Sequence, residues 1–493
     1  MSVLFKLREK FRPHGFSALL AVVLLFFFAL SLTGEKVPLN DGVGYDGAFY
    51  YNVAQNFSTD FWATGYDKFR IFRIFPFFLI NLFFSFFSIE PSHANLMRSM
   101  YVLHVFNLVL QLVFFFKIVR LNAWKKTTTA LIFGCFFFNY FILKSCGYEV
   151  FQTDAFACTI FLVSYYYLLR QKFIRAVSIS FLGILTWPTI TYTIWLLYFF
   201  KDKFPQSAPR LKFETGKAVS LVFPLMSAGA VATLYLLHKH ALLESMLFTQ
   251  VSIPLLFTGT VFWGIFLYLV LRSCDYRFHT PLTYIREFVH QSPWKSLAFV
   301  AIPFIAINLY LRAHTNDEFF FNETAFILQI FLRPLKYPLI TPVAHVCYFG
   351  IVPLLVIFLF RDFSREIFNR SAGYALAFLA FLFFATDSES RHVIPLLPMV
   401  LVPLGCVLDK MDLSAKAVAA LLALQIFLSH FYIPINVDGI AEAFANNDYS
   451  TVVAQRYFMN YGPWLSPKFY VIWSIITILA AVLVRFIIKR RKI

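Results

Sequence analysis

Charge is scarce in this chain. Of its 493 residues only 14% are Asp, Glu, Lys or Arg, whereas 59% are hydrophobic, 65 are Phe and the mean hydropathy is +0.69. A soluble globular protein of this length needs far more charge to cover its surface. The composition excludes that class and indicates a polytopic membrane protein. Acidic residues are the scarcer sign, 26 against 43 basic, for a formal net charge of +17. The surplus does not mark a nucleic-acid binder, because the basic residues sit in short stretches between apolar runs, as cytoplasmic loops do. Cysteine is also sparse: the six Cys form no CxxC and no pairing pattern. Cys135, Cys158 and Cys406 lie in or beside apolar runs, where buried free thiols are ordinary, so no disulfide framework is expected. Repeats, low-complexity linkers and a separate soluble domain are lacking too, and residues 1–493 read as a single transmembrane domain. The N-terminal apolar run lacks a small-residue cleavage site and is long for a signal peptide, so it reads as a retained first span.

What the chain has in quantity is long apolar runs. A span needs about 20 apolar residues, fewer if broken. Runs fall near 16–33, 95–119, 127–143, 155–169, 218–237, 253–271, 296–311, 346–360, 371–385, 393–408, 414–431 and 467–488. With the special segments below, the expected fold is all-α, a helical membrane protein of about 12–14 segments. The basic N-terminus (Lys6, Arg8, Lys10, Arg12), the loops 120–126, 170–175, 272–295 and 361–370, and the C-terminal "KRRK" belong on the cytoplasmic side. Two segments keep that parity. "IFPFFLINLFFSFFSI" (74–89) fits an interfacial or re-entrant helix, and 176–200 fits a hairpin broken at Thr186-Trp187-Pro188-Thr189, where Pro ends helical hydrogen bonding. The outer face then holds a first loop 34–94, a turn 144–154, loops 312–345 and 432–466, and "DSESRH" (387–392).

The ionisable residues of those outer pieces are the candidates for chemistry. Asp41 and Asp46 stand in "NDGVGYDGAFYYN" (40–52), just beyond the first span. Glu149 and Asp154 occupy "GYEVFQTDAF", with Asp154 opening an apolar helix, where capping is the plain structural alternative. Arg70 and Arg73 lead into the interfacial segment, and Arg391-His392 lead into a later span after Asp387 and Glu389. Basic side chains at such boundaries often only snorkel or meet headgroups. Acids and bases recurring at the outer ends of several helices are nevertheless what a shared site near the interface requires. Such a set suits glycosyl transfer: a carboxylate accepts the proton of an acceptor hydroxyl while cations balance a departing lipid phosphate. That chemistry needs no cofactor, and no metal ligand is singled out. His238, His240 and His314 lack metal spacing, Glu244 and Glu323 are further acids of lesser weight, and the sequons Asn56-Phe57-Ser58 and Asn322-Glu323-Thr324 matter only in a eukaryotic host.

These motifs resemble the GT-C superfamily of membrane glycosyltransferases. "YDGAFYYNVA" (45–54) is similar to the first-loop signature of its glycosylphosphatidylinositol mannosyltransferase branch and bacterial relatives, "QTDAFACTIFL" (152–162) to that branch's second acidic stretch, "LTWPTI" (185–190) to its hairpin, and "RHVIPLLP" (391–398) to its Arg-led span start. The resemblance implies a GT-C-like fold, with Asp46 as catalytic acid of the first loop, Asp41 its partner or a turn residue, and Asp154 with Glu149 a second acidic site. Arg70, Arg73, Arg391 and His392 would bind donor phosphate. The chain departs from the branch at Trp187, where relatives often carry Arg or Lys. The implied partners are a polyprenyl-phosphate sugar donor, a glycan, lipid or protein acceptor, and membrane lipids, but no nucleic acid. A bacterial cytoplasmic (inner) membrane with an extracytoplasmic active site is favoured over the endoplasmic reticulum. A transporter or lipid flippase and a glycan polymerase stand as alternatives. A transporter should show charges at mid-span depth and paired halves, and a polymerase arginine-rich outer loops.

Overall fold

The computed structural model describes residues 2–201, 294–316, 337–446 and 467–489, with a few short pieces between 210 and 334. Helices α1 (Ser2–Thr33), α4 (His93–Asn122), α10 (Trp294–Arg312) and α18 (Pro467–Lys489) are long and apolar. So is the run Ser390–Met411, a 3₁₀ segment (Ser390–Leu396) leading into α15 (Leu397–Met411). These five are long enough to cross a membrane. A sixth crossing is α5 (Lys126–Phe137) with the π-helical turn Phe141–Ser145 and the single turn α6 (Cys146–Tyr148), bent by 48°. Apolar side chains cover the outward faces, among them Leu19, Val22 and Phe26 on α1 and Ile475, Ile478 and Val482 on α18. In water such faces would be costly, and in lipid they are the ordinary surface. The protein is an all-α polytopic membrane protein.

Shorter helices fill the centre: α7 (Asp154–Leu169), α8 (Phe173–Ile184), α9 (Pro188–Phe199), α11 (Ile340–Phe349), α12 (Val352–Phe358), α13 (Phe360–Phe368), α14 (Ala372–Thr386) and α16 (Ala415–Ser429). The broken hairpin forms as expected. Pro188 occupies the first turn of α9, Trp187 ahead of it is extended, and the Thr191 hydroxyl donates to Ser180 O (2.7 Å) to hold the arms together. The expected single span 346–360 is instead broken at Gly350-Ile351, with Gly350 at φ +66°. Gln425 repairs the break: its amide donates to Phe138 O (2.8 Å) and Phe349 O (3.2 Å), and its carbonyl accepts from Ile351 N (2.8 Å). The expected basic loop 361–370 is largely the helix α13, which turns Phe360, Phe363 and Ile367 inward.

The first loop is not a loop either. Residues 34–94 fold into α2 (Tyr45–Ala63), the 3₁₀ turn Arg70–Arg73 and α3 (Phe75–Phe87), with their own apolar core of Tyr50, Val53, Phe61, Ile71 and Phe77 against Val150 and Phe151. Tyr66–Asp67 pairs in parallel with Thr315–Asn316, tying this unit to the end of α10. The exposed stripe Leu79, Leu82, Phe83 and Phe86 on α3 has helical spacing, which suits a helix lying in the bilayer interface. Nearly all of the expected span 218–237, much of 253–271, most of 272–295, and much of the loops 312–345 and 432–466 lie outside the described residues, as do His238, His240, Glu244 and Glu323.

Candidate active site

Asp46 lies in the first turn of α2, where the helix dipole favours a carboxylate. The turn before it, residues 40–44, is wound through left-handed backbone at Asn40, Asp41, Gly42 and Gly44, closed by Val43 N to Asn40 O and Gly44 N to Leu39 O, each 3.1 Å. A side chain at Gly44 (φ +89°) would also press on Glu149, its Cβ 3.0 Å from Oε1. This winding separates the two aspartates. Asp46 points into the structure, whereas Asp41 is exposed on the turn and, among the described residues, joins no ion pair with the arginines below. Of the two readings of Asp41, the geometry favours the turn residue.

Arginines from two distant elements reach Asp46. Arg70 Nη2 lies 3.1 Å from Asp46 Oδ1, and Arg391 Nη2 lies 3.6 Å from Oδ2. Arg70 is also 3.8 Å from buried Asp67, whose Oδ1 accepts from the backbone N–H groups of Phe69 (3.0 Å) and Arg70 (2.7 Å) and so fixes the turn. Arg73 does not pair with Asp46. Its guanidinium lies 4.2 Å from the ring centres of Trp187 and Phe69 and hydrogen-bonds the Tyr50 hydroxyl. Burial beside Asp46 pushes the Tyr50 phenol up to about 12, so it stays protonated, with Arg73 opposing the shift. The hairpin tip and the Arg70–Arg73 turn are held together by Phe75 N donating to Leu185 O (2.9 Å). Trp187 therefore supplies an aromatic platform for a cation that another element brings.

The segment 387–392 is not an open outer loop. Asp387, Ser388, Glu389 and Ser390 are buried, and α11 clamps them: His345 lies 2.9 Å from Ser390 Oγ and 2.8 Å from Ala385 O, and Thr341 donates to Thr386 O (2.8 Å). Within the segment Arg391 Nε donates to Glu389 Oε1 (2.6 Å), and His392 Nδ1 lies 2.9 Å from Asp387 Oδ2. Asp154 is 3% exposed at the start of α7, which packs against Ser390–Leu396, and it interacts electrostatically with Arg391, Arg73 and His392. Glu149 is buried against Gly44. The structure thus gathers Asp46, Arg70, Arg73, Arg391, His392 and Asp154, and leaves Asp41 outside. The sequence shows no sign of Asp67 or Tyr50 as members of the site, and it places Asp387 and Glu389 beside Arg391 without assigning them a role. Their D-x-E-x-R-H spacing was visible, but nothing in it signalled burial. His314, by contrast, stacks on Phe61 (4.6 Å between centres) and is accounted for by packing.

No protein-family model, curated protein or solved structure matches this chain. Function must be read from the site.

Proposed function

We propose that the protein is a membrane glycosyltransferase of the GT-C kind. It would move a sugar from a polyprenyl-phosphate carrier to a hydroxyl of a glycan, lipid or protein on the extracytoplasmic face, in a bacterial inner membrane. One observation carries this reading: the partly exposed carboxylate Asp46 meets guanidiniums from two distant elements, and its helix packs against the apolar helix α3. Asp46 accepts the proton of the acceptor O–H as that oxygen bonds to the anomeric carbon. The anomeric C–O bond to phosphate breaks, and its electron pair leaves on the polyprenyl phosphate, whose charge Arg70, Arg73 and Arg391 balance. In the free protein Arg70 and Arg391 hold Asp46; an arriving phosphate competes for them and releases the base. A single displacement inverts the anomeric centre. The test is to supply purified protein with a panel of radiolabelled polyprenyl-phosphate sugars and acceptors. Transfer with inversion from at least one donor is expected, and no transfer from any donor, with lipid binding unaffected by Arg73→Ala, overturns the reading.

A transporter or flippase is the second reading, favoured by the helix breaks at Leu185–Trp187, Phe138–Tyr140 and Gly350-Ile351. Discontinuous helices often line a transport route. It predicts movement of lipid or solute across proteoliposomes without covalent product.

A further inference from the structure

Asp387, Glu389 and His392 offer two carboxylates and an imidazole whose ligand atoms all lie within 4.8 Å of one another. Asp387 is 0% and Glu389 4% exposed, so this is not a solvated acidic surface. A second observation comes from a different element. Asp154 Oδ1, buried at the start of α7, has no hydrogen-bond partner among the described residues, although its carboxylate interacts with His392 and Arg391. A buried carboxylate oxygen without a donor is costly unless a cation satisfies it. We propose that Asp387, Glu389 and His392 bind a divalent transition-metal ion, with Asp154 as the neighbouring carboxylate that orients His392 and balances the charge of the ion. A mixed oxygen and imidazole set suits Mn²⁺ or Zn²⁺ better than Ca²⁺, which prefers oxygen alone. Glu389 can serve both partners, because a carboxylate has lone pairs enough to accept from Arg391 Nε and to hold a metal.

The ion also resolves a conflict within the transferase reading, on which its role, though not its binding, rests. A donor phosphate at Arg391 would lie beside carboxylates of its own sign. A divalent cation between them converts that repulsion into attraction. The experiment uses the full chain in nanodiscs, stripped with chelator and titrated with Mn²⁺ alone, followed by electron paramagnetic resonance. The expected result is one saturable Mn²⁺ per chain showing coupling to an imidazole nitrogen. His392→Gln should remove that coupling, and Asp154→Asn should weaken binding about 10- to 100-fold, the cost typical of a supporting carboxylate. The nitrogen coupling is read on the unmodified protein, so it does not depend on any variant folding. No saturable binding, or binding unchanged in His392→Gln and Glu389→Gln, overturns the inference. Mn²⁺ binding without sugar transfer would leave the metal site standing and remove the transferase; chelator-resistant transfer without bound Mn²⁺ would do the reverse.

Discussion

The Arg73 guanidinium, sandwiched between Trp187 and Phe69, is oriented before any ligand arrives. Stacking fixes its plane and leaves its N–H edges for acceptors, which is how an arginine is prepared for phosphate. Arg73→Ala should lower transfer by about 10²–10³-fold, the usual cost of removing one stabilising donor. Arg73→Lys should recover little, since an ammonium keeps the charge without the planar stack. Kinetics on both variants, against Phe86→Ala as a lipid-facing control, check this. Lys36 supports a pH prediction. Burial, and then the charge of Lys144, bring its amine down to about 8 while it donates to Leu32 O and Gly147 O, each 2.7 Å. Between about pH 8 and the ordinary lysine value the unfolded chain holds more protons, so stability rises with pH across that window. Thermal unfolding should show a rising midpoint there in the native chain and a flatter one in Lys36→Met. At this scale the sequence already marked Asp46, Arg70, Arg391 and Asp154, because charged residues are rare enough here to stand out. It ranked Asp46 above Asp41 only through the resemblance and left Asp41 as partner or turn residue, since the left-handed turn that sends one to solvent and the other to Arg70 is a backbone property.

Among the described residues, helices stand where apolar runs announced them, 346–360 being split in two, and helices without such runs were missed. The segment Tyr45–Ala63 mixes Asp, Asn, Gln and Gly with aromatics, so it read as a loop, yet it is helical and buries Tyr50, Val53 and Phe61. Phe360–Phe368 hid behind its charges for the same reason. Neither hydropathy nor loop charge registers a half-buried helix lying against a bundle. The broken hairpin was legible because Pro188 leaves little alternative. The break at Gly350 was not, because its repair comes from Gln425, distant in sequence. Gln425→Leu should strand the Ile351 N–H and cost about 1–3 kcal/mol, the penalty for an unsatisfied buried donor. Gly350→Ala should also destabilise, both through its positive φ and through collision with the Gln425 amide. Denaturation in one detergent, scored against the native chain, measures both; no change in either would show that the break does not depend on this amide.

Among the described residues, ionisable groups also gather at two places besides the site. Lys125 meets Asp412 (2.7 Å), Arg370 meets Glu366 (3.2 Å) and Cys406, and Cys406 meets Asn122, which brings three of the basic or flanking connections together. Elsewhere Glu35 accepts from Lys144 (2.5 Å), Ile435 N (2.5 Å) and Asn436 N (3.0 Å), joining the end of α1 to residues 144 and 435–436. Of the basic loops assigned to one side by sequence, 120–126 and 361–370 are thus grouped by contact through Cys406, which charge bias alone could not require. Cysteines introduced at Gln171 and Glu90, both exposed, should label from opposite sides of the membrane, Gln171 from the cytoplasm. Labelling of both from the same side would contradict the proposed orientation.

The most direct measurement compares Asp46→Asn and Asp41→Asn in one transfer assay with a polyprenyl-phosphate sugar that the native protein uses. Asn is nearly isosteric with Asp but cannot take the proton, so Asp46→Asn should lose about 10²–10⁴-fold in turnover while keeping donor binding. Asp41→Asn should stay near the native rate, because Asn tolerates the left-handed backbone at that exposed turn. Near-native turnover by Asp46→Asn would contradict the account, whatever the behaviour of Asp41→Asn.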